Sequence, residues 1–117
     1  MQLAFSLDEF GRLKCDLSDG GAPVKVSASN MPAAADDLLR VVGEAETKGA
    51  GDCWWLEGAG EFRWVLRRDG AQATLVVLWS AGTLTGWEHV FWAQGDFDSL
   101  ASSIRSGLAN LTVQAGQ

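Results

Sequence analysis

Hydrophobic and polar residues alternate twice within the first twenty positions. Leu3, Phe5 and Leu7 oppose Gln2, Ala4 and Ser6, and Leu13, Cys15 and Leu17 oppose Arg12, Lys14 and Asp16. A period of two with polar partners predicts strands that keep one face wet. Asp8-Glu9-Phe10-Gly11 carries turn chemistry between them, so residues 2–7 and 12–17 predict a hairpin. Asp19-Gly20-Gly21 turns the chain again, into a short third strand over 24–28.

The period then changes to that of a helix. Asn30 is a candidate N-cap, Pro32 suits the opening turn, and Asp36 and Asp37 lie towards the positive end. Ala35, Leu38, Leu39 and Val42 make one apolar stripe, and Gly49 or Gly51 can supply the left-handed stop, so a helix is predicted over 32–48. Four strand-like runs follow at 52–57, 61–68, 71–80 and 86–94. Gly58-Ala59-Gly60, Asp69-Gly70 and residues 81–85 link them, and links this short favour an antiparallel meander. Asp96 caps a final helix, in which Phe97, Leu100, Ala101, Ile104, Leu108 and Leu111 share one face. The expected fold is α+β in the order βββ-α-ββββ-α: an antiparallel meander sheet packed on two helices in two layers. It forms a single domain over 1–117, in which residues 112–117 are expected to fray.

Composition narrows the function. Hydrophobic residues make up 47% of the 117 and charged residues 21%, which excludes intrinsic disorder. Nine basic and fifteen acidic side chains leave a net charge of -6, which opposes general attraction to phosphate backbones. One His and two separated Cys give no zinc-ligand spacing, so no metal and no cofactor are expected. The segment MQLAFSLDEF has no Lys or Arg before its apolar stretch and reaches Asp8 early, unlike a secretory signal. The longest apolar run, 75–79, is far below the ~20 residues that span a bilayer. No membrane association is expected, and the cytoplasm is the expected location.

Six Trp with no Tyr is an unusual aromatic usage, and their placement matters more than their number. One parity of the meander holds Phe62, Trp64, Leu66, Leu75, Val77, Trp79, Trp87, His89 and Phe91, and should meet the helices. The other parity is mixed where a wet face should be polar. Val65, Val76, Leu78, Val90 and Trp92 fall on it, together with Arg63 and Arg67, and one of the neighbours Trp54 and Trp55 must join them, Trp54 being taken for this face. Left bare, such a patch would exceed the ~300–600 Å² found on ordinary monomers. The N-terminal hairpin could fold across it, or a second copy of the chain, another protein or an apolar ligand could cover it. Trp and Arg anchors favour the second copy, with Arg63 and Arg67 pairing to Glu61 or Glu88.

Catalytic chemistry is thin. His89 stands beside Glu88, but alternation sends the two to opposite faces, leaving Asp52, Glu57 or a cysteine on another strand as its possible partners. A hydrogen-bonded imidazole between Trp87 and Phe91 is the simpler expectation. Cys15 lies among leucines and Cys53 precedes two Trp, the surroundings of packed rather than nucleophilic thiols. The GAGD and GAG segments lack the context of a phosphate loop. Arg63, Arg67 and Arg68 with Trp64 have the composition of a single-strand stacking platform, but Trp64 points away from Arg63 and Arg67, so nucleic acid is not an expected partner.

No catalytic residue is therefore assigned. The expected function is that of a non-enzymatic binding protein of bacterial accessory type, immunity-like or from a mobile gene cassette. It would act as a homodimer through the aromatic sheet face, with a basic protein as a further partner for its acidic surface. The alternative is a small apolar-ligand binder or enzyme, with a pocket of Trp55, Trp64, Trp79, Trp87, His89 and Phe91.

Overall fold

A computed structural model describes residues 1–58, 60–82 and 86–115, with side chains described as far as residue 111. The chain runs β1 (Gln2–Leu7), β2 (Leu13–Ser18), β3 (Val24–Ala28), α1 (Met31–Lys48), β4 (Ala50–Glu57), β5 (Gly60–Asp69), β6 (Gln72–Ser80), β7 (Glu88–Asp96) and α2 (Phe97–Ala115). This is the expected α+β order. The strands divide into a three-stranded sheet, β1-β2-β3, and a four-stranded sheet, β4-β5-β6-β7, both antiparallel.

Local chemistry explains the boundaries. Asp8 closes the first hairpin, its Oδ1 accepting the Phe10 and Arg12 backbone N–H groups at 2.9 Å. Asn30 caps α1 by accepting from the Ala33 N–H at 3.3 Å. Gly49 ends that helix in the left-handed region, at φ 89°, with its N–H donating to the Ala45 carbonyl. Asp96 caps α2, its Oδ2 accepting the Ser99 N–H at 2.9 Å. Asp36 and Asp37 lie beyond the first turn of α1, which contains no acidic residue. Helical backbone in α2 continues to Ala115, into the segment expected as a tail, and residues 116–117 lie outside those described. The expected loop at 81–85 is described only at Ala81 and Gly82.

The helices lie against one face of each sheet. Helix α1 packs chiefly on β4, and also on β5 and β2; α2 packs on β1 from one sheet and on β6 and β7 from the other. Leu13, Cys15, Leu17, Val26 and Ala28 are buried in the smaller sheet, and Cys53, Trp55, Trp64, Leu66, Leu75, Val77 and Ala93 in the larger. From α1 come Ala34, Ala35, Leu38, Val41, Val42 and Ala45, while Leu39, expected in the stripe, is 38% exposed. All six expected α2 positions are buried. The sheets meet edge on, at β3 and β4. There the Ser29 N–H donates to the Leu56 carbonyl at 2.8 Å, and Glu57 binds the Ser27 hydroxyl and Arg12. The N-terminal strands therefore do not form a second layer over the outer face of β4–β7, and that face is left without cover from the described residues.

Candidate functional site

The two outward faces differ in chemistry. That of the smaller sheet carries Gln2, Ala4, Ser6, Lys14, Asp16, Ser18, Lys25 and Ser27, as a wet face should. That of the larger sheet is built in rows by strand register. Arg67 lies between Ala50 and Thr74; Val65 lies between Asp52 and Val76, with Trp92 beyond; Arg63 lies between Trp54 and Leu78; and Glu61 lies between Leu56 and Ser80. Leu56 is 66% exposed, Trp92 56% and Trp54 45%. Val65, Val76 and Leu78 are half-buried among them.

Ion pairs order this surface. Arg63 donates to Asp52 Oδ2 from Nη2 at 2.9 Å and from Nε at 3.2 Å, and its guanidinium lies 5.3 Å from the centre of the Trp54 ring. Both partners of Arg63 are therefore on β4, neither being the expected Glu61 or Glu88. Cation–ring contact and ion pair together restrict the Trp54 rotamer, so this aromatic is held in place while exposed. The Gln94 side-chain amide donates to the Thr74 hydroxyl at 3.2 Å. The side chains of Arg67 and Glu61 have no hydrogen-bond or ion-pair partner among the described residues.

One bulge rearranges β7. Val77 pairs with Phe91 but Leu78 pairs with His89, so Val90 is an extra residue and the parity reverses on either side of it. His89 comes to the row of Arg63 and Leu78, exposed on the outer side, instead of joining Phe91 on the inner one. Val90, expected on the outer face, packs against the core. Strict alternation cannot foresee a bulge, because nothing in the sequence of β7 marks it.

The expected aromatic pocket does not assemble. Trp55 and Trp64 are fully buried with ring centres 4.7 Å apart, and Phe91 is buried in the same core. Trp79 stacks on Phe62 at 4.6 Å and crosses Gly60, where an added Cβ would come within 2.4 Å of the indole. Trp87, 41% exposed, lines an open cleft of about 480 Å³ with Leu56, Glu61 and Ser80, which includes none of the other five residues. Burial pushes both thiols up, that of Cys53 to about 12, so neither is a nucleophile at neutral pH. Among the described residues no group of three His, Cys, Asp or Glu could hold a metal, and no helix is long and apolar enough to cross a membrane. Alternation from Trp54 places Leu56, two residues on and more exposed still, on the same face, a residue absent from the expected interface.

No family model matches the sequence, and no curated protein matches it. Among solved structures, a chain of the CdiA-CT/CdiI toxin and immunity complex from Enterobacter cloacae is similar, with a TM-score of 0.58 and 11% identity. The likeness covers 93% of this chain and 98% of that one. It extends over nearly the whole of both folds, and at that identity it is a likeness of fold.

Proposed function

We propose that this chain is a non-enzymatic protein-binding protein of the immunity-like kind, with the outer face of β4–β7 as its contact surface. The observation that carries this is the exposure of Trp54, Trp92 and Leu56 on a sheet face that no described part of the chain covers. Clustered aromatic and Arg anchors on an open surface are the usual makings of a protein interface. The fold shared with a chain of a toxin and immunity complex supports the same class. In its finer form, a second copy of the chain covers the face, making a homodimer. The net charge of -6 then favours a basic protein as the further partner, brought in by long-range attraction.

Self-association is tested by light scattering or sedimentation across a range of protein concentrations. Four strands ~4.8 Å apart and about eight residues long give each copy a face of roughly 500 Å², within the range of ordinary monomers and not beyond it, so a face-to-face dimer buries ~1,000 Å², near the lower limit of specific interfaces. A reversible dimer near micromolar concentration is therefore expected. Trp92→Asp should abolish it while leaving the circular dichroism spectrum intact. A wild-type chain that stays monomeric at every concentration removes the homodimer, and unfolding by Trp92→Asp would make that residue structural.

A further inference from the structure

Taking the outer face as the contact surface, as proposed above, we infer that two copies pack on it with their β5 strands antiparallel, so that Arg67 of each enters the Glu61–Trp87 cleft of the other. Charge is distributed along this face by strand position. Arg67 and Glu61 project from the same side of β5, six residues apart and so ~20 Å apart, at opposite ends of the face. Neither has a partner among the described residues, whereas Arg63, between them, is already paired with Asp52. Lys48 stands near Arg67, lining a second cleft with it, so one end of the sheet is the more basic. The interval between the two free charges holds Val65, Val76, Leu78 and Trp92 in adjacent rows.

A two-fold axis lying between the sheets and across the strands exchanges the two ends. It sets the row of Val65, Val76 and Trp92 on the row of Arg63, Leu78 and His89 of the second copy, and each Arg67 over a Glu61 of the second copy, and isologous pairing makes each contact twice. A two-fold axis along the strands would instead place Arg67 over Arg67-end residues and leave both carboxylates facing one another's end. The cleft beside Glu61 suits a guanidinium on three counts. It is about 480 Å³ in volume, it offers a carboxylate for a charge-assisted hydrogen bond, and it has a half-exposed indole, Trp87, for a cation–ring contact.

The test is a charge exchange read by sedimentation, with circular dichroism confirming that each variant folds. Arg67→Glu alone and Glu61→Arg alone should each weaken self-association at least about tenfold, because each places like charges together twice. Mixed one to one, the two variants should form a heterodimer as tight as the wild-type dimer or tighter, since every cross-contact is then between opposite charges. The double variant E61R/R67E should recover the wild-type affinity. A wild-type dimer that forms but is indifferent to both charge reversals, or single variants that fail to complement each other, overturns the antiparallel arrangement and leaves the contact face standing. A wild-type monomer at all concentrations removes the homodimer and this arrangement with it.

Discussion

Two neighbouring indoles show how much one atom decides. Trp55 and Trp64 are both fully buried and touch each other, yet Trp55 Nε1 donates to the Ala34 carbonyl at 3.2 Å while Trp64 Nε1 has no partner among the described residues. A buried donor without an acceptor costs about 1–3 kcal/mol, and a satisfied one contributes about 1 kcal/mol. Trp55→Phe and Trp64→Phe remove the same atoms from the same core, but the first also breaks a hydrogen bond and the second relieves an unpaired N–H. In urea unfolding, Trp55→Phe should therefore cost about 1–2 kcal/mol more than Trp64→Phe. Equal losses would mean that Trp64 Nε1 finds an acceptor in solution, such as a buried water. Parity along β4 already sent Trp54 and Trp55 to opposite faces, and the tertiary structure turned Trp55 inward. The acceptor of Trp55 lies on a helix twenty-one residues earlier, and no local pattern reaches that far.

Glycines within the helices separate propensity from packing. Gly43 in α1 has nothing within 4 Å of where a Cβ would stand, whereas at Gly107 in α2 the added atom would lie 2.6 Å from Phe5 Cδ2. Helical Ala is better than Gly by about 1 kcal/mol. Gly43→Ala should raise stability by about that much, and Gly107→Ala should lower it by about 1 kcal/mol, because the clash with β1 exceeds the gain in propensity. Thermal or urea unfolding of the two variants reads the sign directly, and a stabilising Gly107→Ala would show that β1 yields easily at that point. Gly107 thus sets how closely α2 approaches β1. From the sequence it reads only as a flaw in an otherwise strong helix, since its reason belongs to a strand a hundred residues away. Capping, by contrast, was legible throughout: Asn30, Gly49 and Asp96 act where their local chemistry places them.

Across the whole molecule, the negative charge is tied down in a few ordered contacts. Asp8 is held below its ordinary 3.8, first by the Arg12 backbone N–H and then by the Arg12 side chain. Glu46 is held below 4.5 by hydrogen bonds from Arg105, and Asp96 below 3.8 by the N–H and hydroxyl of Ser99. A carboxyl whose folded pKa is depressed contributes stability above its unfolded pKa and loses it as pH falls through the folded one. Stability should accordingly be level from neutral pH to about 5 and fall below about pH 4.5, seen as a declining urea midpoint. A midpoint unchanged down to pH 3 would show that these contacts form equally in the unfolded chain. The fall should be steeper in the Asp8 hairpin and at the start of α2 than in the core, because both carboxyls close a turn or a helix end. Amide exchange at Arg12 and Ser99 would report it.

The order of elements, the caps, the inward face of α2 and the inward parity of β1, β2, β5 and β6 are properties of the sequence alone, because they depend on neighbours within a few residues. The same patterning showed that the outer face of β4–β7 holds too many apolar groups for a wet surface. The tertiary structure decided the rest. It divided the strands into two sheets meeting at β3 and β4, and so left that face uncovered by the described residues. It placed a bulge at Val90 that exchanged the sides of His89 and Val90, and it packed Trp55, Trp64 and Phe91 into the core apart from Trp87, so the expected aromatic pocket does not assemble. It paired Arg63 with Asp52 and left the side chains of Arg67 and Glu61, at opposite ends of one strand, without partners among the described residues. Each of these depends on which distant segments pack together, a balance of burial summed over the whole core rather than a preference any short stretch of chain expresses.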